Sequence, residues 1–213
     1  MDQANLQETV FCNFNHTAIL SLAKKLTEDE ADTGKKTQAV FKHVRDNIRF
    51  GFDLVQVKAS QTLEKGYGVC WNKALLMVAL LRANQVPARL AFNPVQREFM
   101  RPVLGDACQT LPETINHCMA QVHLDHDWIC VDATLDAATF EKFFVPYGVT
   151  WGIDWNGKEE LRLYTENIVG PVEYIEDIDA AVQQDVGNVM PPPSESELFF
   201  GSVNQQMWQA IDG

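Results

Sequence analysis

The sequence predicts a protein that combines α-helices with antiparallel β-strands, and two stretches carry most of this prediction. One is the segment 66–73, GYGVCWNK, in which two glycines lead into a cysteine. The apolar residues that follow recur at helical spacing, which predicts a helix over 70–83 with Cys70 in its first turn. The other is the segment 116–132, where two alternating stretches flank Asp125 and His126 and predict a β-hairpin.

Further elements follow from hydrophobic periodicity along the chain. Ahead of the cysteine, the periodicity predicts a short strand over 9–14, two helices over 16–26 and 37–48, and a helical turn over 61–65. Asn15 or Thr17 is expected to cap the first of the two helices, and Gly51 to end the second. After the cysteine helix it predicts a strand over 86–92, a long surface loop over 93–116 and two hairpin strands over 117–124 and 127–133. A helix over 136–144, a loop over 147–158, a strand over 160–164 and a helix over 172–182 are expected to follow.

A run of three prolines at 191–193 divides the sequence into one domain over 1–190 and a tail over 191–213. Large apolar side chains in the tail predict that it docks on the body or on a second copy in a homodimer: Leu198, Phe199, Phe200, Met207 and Trp208.

Composition limits the partners and the compartment. Of 213 residues, 46% are hydrophobic, which is typical of a globular protein with a proper core. The net charge of −12 argues against nucleic acid and anionic membrane surfaces, because both require cationic contacts. No apolar run reaches about 18 residues, so no membrane-spanning helix is expected. The first residues, MDQAN, lack the basic and apolar regions of a signal peptide.

The five cysteines form no paired spacing, and their number is odd. Both features indicate reduced thiols in a cytoplasmic protein rather than a disulfide framework. A zinc site is not expected, because the hairpin puts Cys118 and Cys130 on opposite faces and no C-x-x-C pair exists. No cofactor and no metal are therefore predicted.

The hairpin register makes a definite prediction about two polar residues. A two-residue turn pairs Leu124 with Asp127 and puts Met119 opposite Asp132. His117 and Asp132 then lie on one face as diagonal neighbours, within reach of each other. A three-residue turn would put them on opposite faces.

Cys70, His117 and Asp132 together suit nucleophilic catalysis. Unpaired N–H groups and the positive dipole at a helix start favour a thiolate at Cys70. An imidazole held by a carboxylate can take the thiol proton and return it to a leaving group. The alternatives are that Cys70 is a small buried hydrophobe and that the histidine and aspartate are a satisfied polar pair.

The order and spacing of these motifs resemble the transglutaminase-like superfamily. The resemblance rests on GYGVCWNKA, on LLRANQVPAR at 80–89, on Asn116-His117 and on WICVDAT at 128–134. It implies an α+β fold with a papain-like core, in which the cysteine helix packs on an antiparallel sheet that carries histidine and aspartate. It also implies that Cys70, His117 and Asp132 are the catalytic triad, that the chemistry is acyl transfer through a thioester, and that the triad needs no metal.

The sequence departs from the family pattern after the histidine, where Cys118 and Met119 replace a small residue and an aromatic one. Protein-glutamine specificity is therefore not predicted. Met119 beside the imidazole, Trp71 beside the cysteine and Trp151 are the predicted substrate contacts. The loops 93–116 and 151–155 are where a pocket specific to this chain is expected.

Three functions stay open on the sequence alone. The first is a cysteine-dependent acyltransferase or hydrolase that acts on an amide or thioester of a small molecule or peptide. The second is a condensing, tailoring or cyclising acyltransferase that acts on a carrier-bound thioester. The third is a catalytically silent binding module, against which the intact set of cysteine, histidine and aspartate counts.

Overall fold

The computed structural model describes residues 3–151, 154–163, 165–185 and 193–213. The α-helices are α1 (Thr17–Thr27), α2 (Thr33–Asn47), α3 (Ala59–Lys65), α4 (Cys70–Ala83), α5 (Arg101–Leu104), α6 (Ala137–Thr139), α7 (Ile178–Asp185) and α8 (Pro193–Asp212). The strands are β1 (Arg49–Phe50), β2 (Tyr67–Gly68), β3 (Ala88–Gln96), β4 (Thr114–Leu124), β5 (Asp127–Val131) and β6 (Glu173–Tyr174). Short 3-10 turns lie at Gln3–Leu6, Arg97–Met100, Gly105–Thr110, Val145–Tyr147 and Thr165–Asn167, and a π-helical turn lies at Phe140–Phe144.

Four strands form an antiparallel sheet in the order β5-β4-β3-β6, and β1 and β2 form a separate parallel pair. Helix α4 packs against one face of the sheet, and α1, α2 and α3 surround α4. Almost every residue of α4 after its first turn is buried, because the helix has sheet on one side and helices on the others. The predicted helix over 70–83 is confirmed.

The hairpin has the predicted register. Leu124 pairs with Asp127 and Ala120 pairs with Val131, across a turn whose Asp125 has a φ of 53°. Aspartate tolerates this left-handed conformation better than most residues, which suits a two-residue hairpin turn. The core face of β4 carries Cys118, Ala120, Val122 and Leu124, all buried against α4. The opposite face carries His117.

Three predictions in the first half of the chain are wrong. Residues 9–14 form turns rather than a strand, since the N–H groups of Val10 and Phe11 donate to the carboxylate of Asp179 instead of to a ladder. Helix α1 is capped by His16, whose Nδ1 accepts from the N–H of Ala18 at 3.3 Å. Helix α2 ends at Asn47, and Gly51 lies beyond it.

The predicted surface loop 93–116 is also wrong. Strand β3 continues to Gln96, and residues 97–110 fold into consecutive helical turns before β4 begins at Thr114. Its prolines do not prevent this, because Pro102 lies in the first turn of α5, where no intrahelical N–H is needed. The segment is buried on its inner side by Phe99, Met100 and Cys108.

Two predictions after the hairpin need correction. Residues 160–164 do not form a strand over the part that is described; Leu161 makes one isolated bridge to Val131, and residue 164 lies outside the described residues. Residues 172–182 split into β6 and α7, because the carboxylate of Asp177 accepts from the N–H of Ala180 and starts the helix at Ile178.

Helix α8 contacts the body next to β1 and β2. Asn204 accepts from the N–H of Phe52 at 2.7 Å and donates to its carbonyl at 2.9 Å. Trp208 Nε1 donates to the carbonyl of Phe50 at 2.9 Å, and Phe200 and Met207 are buried. The division between domain and tail at 190 and 191 lies outside the described residues and stays a prediction.

In the described part of the chain, no helix combines the length and apolarity that crossing a bilayer requires.

Candidate active site

Cys70 is the first residue of α4, and the residues around it fix the start of the helix. The side chain of Asn72 accepts from the N–H of Val69 at 3.1 Å and donates to the carbonyl of Leu54 at 2.9 Å. The helix start is therefore tied to the segment that follows β1. Cys70 is half-buried, whereas the other four cysteines are buried, and all five are free.

A glycine at position 68 is required for this arrangement. A Cβ on Gly68 would lie 2.6 Å from Cβ of Asn72 and 3.3 Å from Cγ2 of Thr62. Neither atom can retreat easily, because Thr62 is buried in α3 and Asn72 holds the helix start. The glycine therefore permits the close approach of β2 to α4 that places Cys70.

We expect Gly68→Ala to lower the free energy of unfolding by about 1–3 kcal/mol through overpacking. Gly201→Ala in α8 is the matched control, since a Cβ there meets no atom within 4 Å. That control should be neutral or stabilising by about 0.5–1 kcal/mol, as for glycine in a helix interior. Urea unfolding of both variants measures the difference, and equal stability of the two would contradict the close packing at Gly68.

His117 on β4 and Asp132 just after β5 form a buried pair. Nε2 of His117 lies 2.5 Å from Oδ2 of Asp132, and the two side chains are 2% and 0% exposed. The N–H of Thr134 donates to Oδ1 of Asp132 at 3.0 Å, and the N–H of Leu163 donates to Oδ2 at 3.4 Å. The carboxylate is thus held from three sides. The structure brings together these two residues as the hairpin register predicted.

The charges in this pair reinforce each other. Burial by itself lowers the pKa of His117, but the charge and hydrogen bond of Asp132, with a smaller contribution from Cys70, raise it to about 10. Burial raises the pKa of Asp132, but His117 and the hydrogen bonds of Thr134 outweigh it and hold that pKa below its usual value. Since an ionised carboxylate only accepts, Nε2 carries a proton. Nδ1 is then the nitrogen that can exchange a proton with Cys70, whose charge contributes to the raised pKa of His117.

Two neighbours of His117 were missed by sequence reasoning. The ring of Phe99 lies edge-on to the imidazole at 5.9 Å between centroids. Asn93 pairs directly with His117 across β3 and β4, is 1% exposed, and its Nδ2 has no hydrogen-bond partner among the described residues. Both lie in the segment that was expected to be a loop, so no signal in the local sequence marked them.

The predicted substrate contacts lie in different environments. Trp71 and Trp151 are half-buried, and the indole N–H of each has no hydrogen-bond partner in the described part of the chain. Met119 shares the face of His117 but is 1% exposed, packed with Ala91 and Cys130. Of the predicted pocket loop 151–155, Trp155 is a core residue packed edge-on to Phe41, and residues 152 and 153 lie outside the described ones. The three substrate contacts stay predictions.

The remaining thiols differ from Cys70 in their surroundings. Burial raises the pKa of Cys118 well above its ordinary value, and the nearby charges of Cys70 and Asp132 raise it further. Burial also raises the pKa of Cys12 to about 11 and that of Cys130 above its ordinary value. Thiolate chemistry is thus disfavoured at these three positions. Within the described residues, no cluster of three or more histidine, cysteine or acidic side chains is arranged to hold a metal ion.

A family model of the transglutaminase-like superfamily matches residues 20–133, a little more than half of the chain. The chain belongs to the transglutaminase-like superfamily. Its members are cysteine-dependent enzymes, and the mixed fold with a four-stranded antiparallel sheet is consistent with the core of that superfamily. The predicted fold class is confirmed. No curated protein sequence matches the chain significantly.

Several solved structures show partial similarity to the chain. A candidate cysteine protease from Cytophaga hutchinsonii has 20% identity and a TM-score of 0.49, over 80% of this chain and 52% of its own. A candidate protease from Parabacteroides distasonis has 12% identity and a TM-score of 0.41, over 57% of this chain and 25% of its own. The transglutaminase of red sea bream has 14% identity and a TM-score of 0.40, over 73% of this chain and 33% of its own. The chain thus spans about half the length of the first of these proteins and less of the other two.

Proposed function

We propose that this member of the superfamily catalyses acyl transfer or hydrolysis through a thioester on Cys70. The observation that carries the proposal is the buried pair of His117 and Asp132, which holds an imidazole against a half-buried cysteine at a helix start. Cys70 is the nucleophile, His117 the general acid and base, and Asp132 the residue that orients the imidazole.

The reaction begins with the Cys70 thiolate beside the His117 imidazolium. Sγ attacks the carbonyl carbon of an amide or thioester, and the imidazolium gives its Nδ1 proton to the departing amine or thiol. The thioester on Cys70 is then attacked by an acceptor, whose proton passes to Nδ1. Collapse of the second tetrahedral species releases the acyl product, and the thiolate and imidazolium are restored.

The negative oxygen of both tetrahedral species needs hydrogen-bond donors. The backbone N–H of Cys70 is one donor by its position, since the first N–H groups of a helix have no intrahelical partner. The indole N–H of Trp71 is a candidate second donor, because it adjoins the nucleophile and is buried without a partner among the described residues. Asn93 Nδ2 lies beside the imidazole and also has no hydrogen-bond partner among the described residues. It is therefore available to donate a hydrogen bond to a substrate oxygen.

Acyl-enzyme trapping tests this function. The protein is incubated with a panel of simple acyl thioesters and acyl anilides, and the mass of each cysteine peptide is measured after an acid quench. We expect an acyl adduct on Cys70, its loss in Cys70→Ala and its persistence in the control Cys108→Ala. Added hydroxylamine or a primary amine in competition with water separates transfer from hydrolysis by the product formed.

The absence of any adduct on Cys70 from the whole panel, in protein that remains folded, would contradict catalysis and favour the silent binding module. Adducts formed only from thioesters attached to a carrier protein would favour the condensing or cyclising acyltransferase.

The substrate stays proposed as an acyl group on a small molecule, a peptide or a carrier. The cytoplasmic compartment stays a proposal too, supported by five free cysteines.

A homodimer through the tail also stays a proposal. Helix α8 turns Phe200 and Met207 toward the body and leaves Leu198 and Phe199 exposed by 80% and 61%. An exposed pair of this size on one helix is compatible with a second copy, but large apolar residues scattered singly on a surface are ordinary.

A further inference from the structure

Lys73 is a buried cation that the proposed mechanism leaves without a role. It lies three residues after Cys70, in the first turns of α4, and is 0% exposed. Its Nζ has no hydrogen-bond partner among the described residues. Burial of an ammonium group is costly unless opposite charge lies nearby, so the environment of Lys73 must supply that charge.

Four charged side chains from two other elements act on Lys73. Asp136 and Asp132, on the segment after β5, attract its charge, and so does Asp46 on α2. Arg45 on α2 opposes it, and its Nε lies 2.6 Å from Oδ1 of Asp46. Arg45 and Asp46 are paired with each other, and Asp132 is paired with His117. The carboxylate left for Lys73 to balance is therefore that of Asp136.

Neither of these carboxylates depends on Lys73 for hydrogen bonds. Asp136 accepts from the N–H of Phe50 and from the N–H and hydroxyl of Thr139, all within 2.9 Å. Asp132 accepts from His117, Thr134 and Leu163. Lys73 therefore contributes charge to this cluster rather than a specific hydrogen bond. With Lys73 and His117 protonated, two positive charges balance two buried negative charges.

We propose that Lys73 is a positioning residue for the reaction, whose buried positive charge keeps the carboxylates of Asp132 and Asp136 balanced and thereby keeps the Cys70 thiolate accessible near neutral pH. The inference rests on the proposed function, since it acts through the pair of Cys70 and His117. Cys118 on β4 also interacts with Cys70, and its raised pKa keeps it a neutral thiol.

The sign of the effect follows from the charge balance. Burial is the largest influence on Lys73 and lowers its pKa from 10.5 to about 8, against the pull of the three aspartates. Below about pH 8 Lys73 is therefore charged. In the proposed charge balance this positive charge favours loss of the proton from Cys70. Removal of this charge leaves a net negative cluster, which disfavours a thiolate and raises the pH at which Cys70 becomes reactive.

Alkylation of Cys70 by iodoacetamide against pH, with peptide mass as the readout, tests the proposal. We expect Lys73→Met to move the midpoint of the reactivity profile upward by about one pH unit. Methionine matches the length of the lysine and suits a fully buried position. Lys42→Met, the same substitution at an exposed position of α2, is the matched control and should leave the midpoint unchanged. An unshifted midpoint in folded Lys73→Met would overturn the proposal.

A second measurement uses the wild-type protein, so that it decides even if Lys73→Met does not fold. In protein labelled with ¹³C at the lysine ε-carbons, one resonance is expected to titrate at about pH 8, well below the ordinary lysine value of about 10.4. Alkylation of Cys70 removes the thiolate charge and should lower that midpoint further. The proposal is overturned if every lysine titrates near its ordinary value, or if the midpoint ignores the alkylation.

His117→Gln in the same alkylation series separates this inference from the proposed function. A Cys70 midpoint that responds to His117 but not to Lys73 overturns only the role of Lys73. A midpoint that responds to neither substitution overturns the proposed function, and the role of Lys73 with it.

Discussion

Replacement of His117 by alanine is expected to reduce turnover of an acyl substrate by about 10³-fold, the usual contribution of a general acid and base. The loss has two physical sources. Without the imidazolium, Cys70 has no counter-charge for its thiolate, and the leaving group has no proton donor. We expect alkylation of Cys70 at neutral pH to slow to the rate of an ordinary thiol.

The structural cost of this substitution must be separated from the chemical one. His117→Ala leaves the buried carboxylate of Asp132 without its main partner, and loss of one member of a buried charged pair costs about 3–5 kcal/mol. His117→Gln retains an amide donor for Asp132 but has no base for the thiol. Both variants should lose turnover alike, while His117→Gln should retain more stability in urea unfolding.

His123→Ala is the matched control for both variants. His123 lies on the same face of β4 but is half-buried and pairs with Trp128, at 5.3 Å between ring centroids. It lies six residues along β4 from His117. If His123→Ala slowed Cys70 as much as His117→Ala does, the assignment of His117 as the base would be wrong.

Replacement of Trp208 by alanine is expected to lower the free energy of unfolding by about 2 kcal/mol, less than for a fully buried aromatic residue, because Trp208 is half-buried. Its indole N–H bonds to the carbonyl of Phe50, and its ring lies edge-on to Tyr67 at 5.2 Å. The guanidinium of Arg49 lies 5.2 Å from the ring centroid. One side chain of α8 thus contacts both β1 and β2, and β2 leads directly to Cys70.

Phe199→Ala in the same helix is the control, because Phe199 is 61% exposed and should cost little. Urea unfolding measures both variants, and alkylation of Cys70 in native protein shows whether the loss of Trp208 also disturbs the helix start. Equal stability of the two variants would mean that α8 does not dock through Trp208, and the predicted docking of the tail would then need another surface.

The two stretches that predicted the site were local in sequence. The helix from Cys70 followed from apolar periodicity, and the pairing of Leu124 with Asp127 followed from a two-residue turn. Register then determined that His117 and Asp132 share a face, because side chains alternate along a strand. These features needed no knowledge of the rest of the chain, since neighbouring residues and backbone geometry specify them.

The surroundings of the site were decided by tertiary structure. The segment after β3 was expected to be a loop, yet it folds into helical turns because Phe99 and Met100 are buried in a cluster formed with distant residues such as Phe144 and Met207. Phe99 thereby reaches the imidazole of His117. Periodicity cannot reveal elements of this kind, because they are too short to show a repeat and gain their stability from packing.

Lys73 shows the same limit for a single residue. In the sequence it is one lysine in the first turns of an apolar helix, where a long charged side chain ordinarily reaches solvent. Only the placement of α2 and of the segment after β5 around α4 leaves it fully buried and facing Asp132 and Asp136. The sequence by itself determined the fold class and the pairing of His117 with Asp132. The tertiary structure decided which charges surround the site, because burial and electrostatic interaction depend on residues that are far apart in the chain.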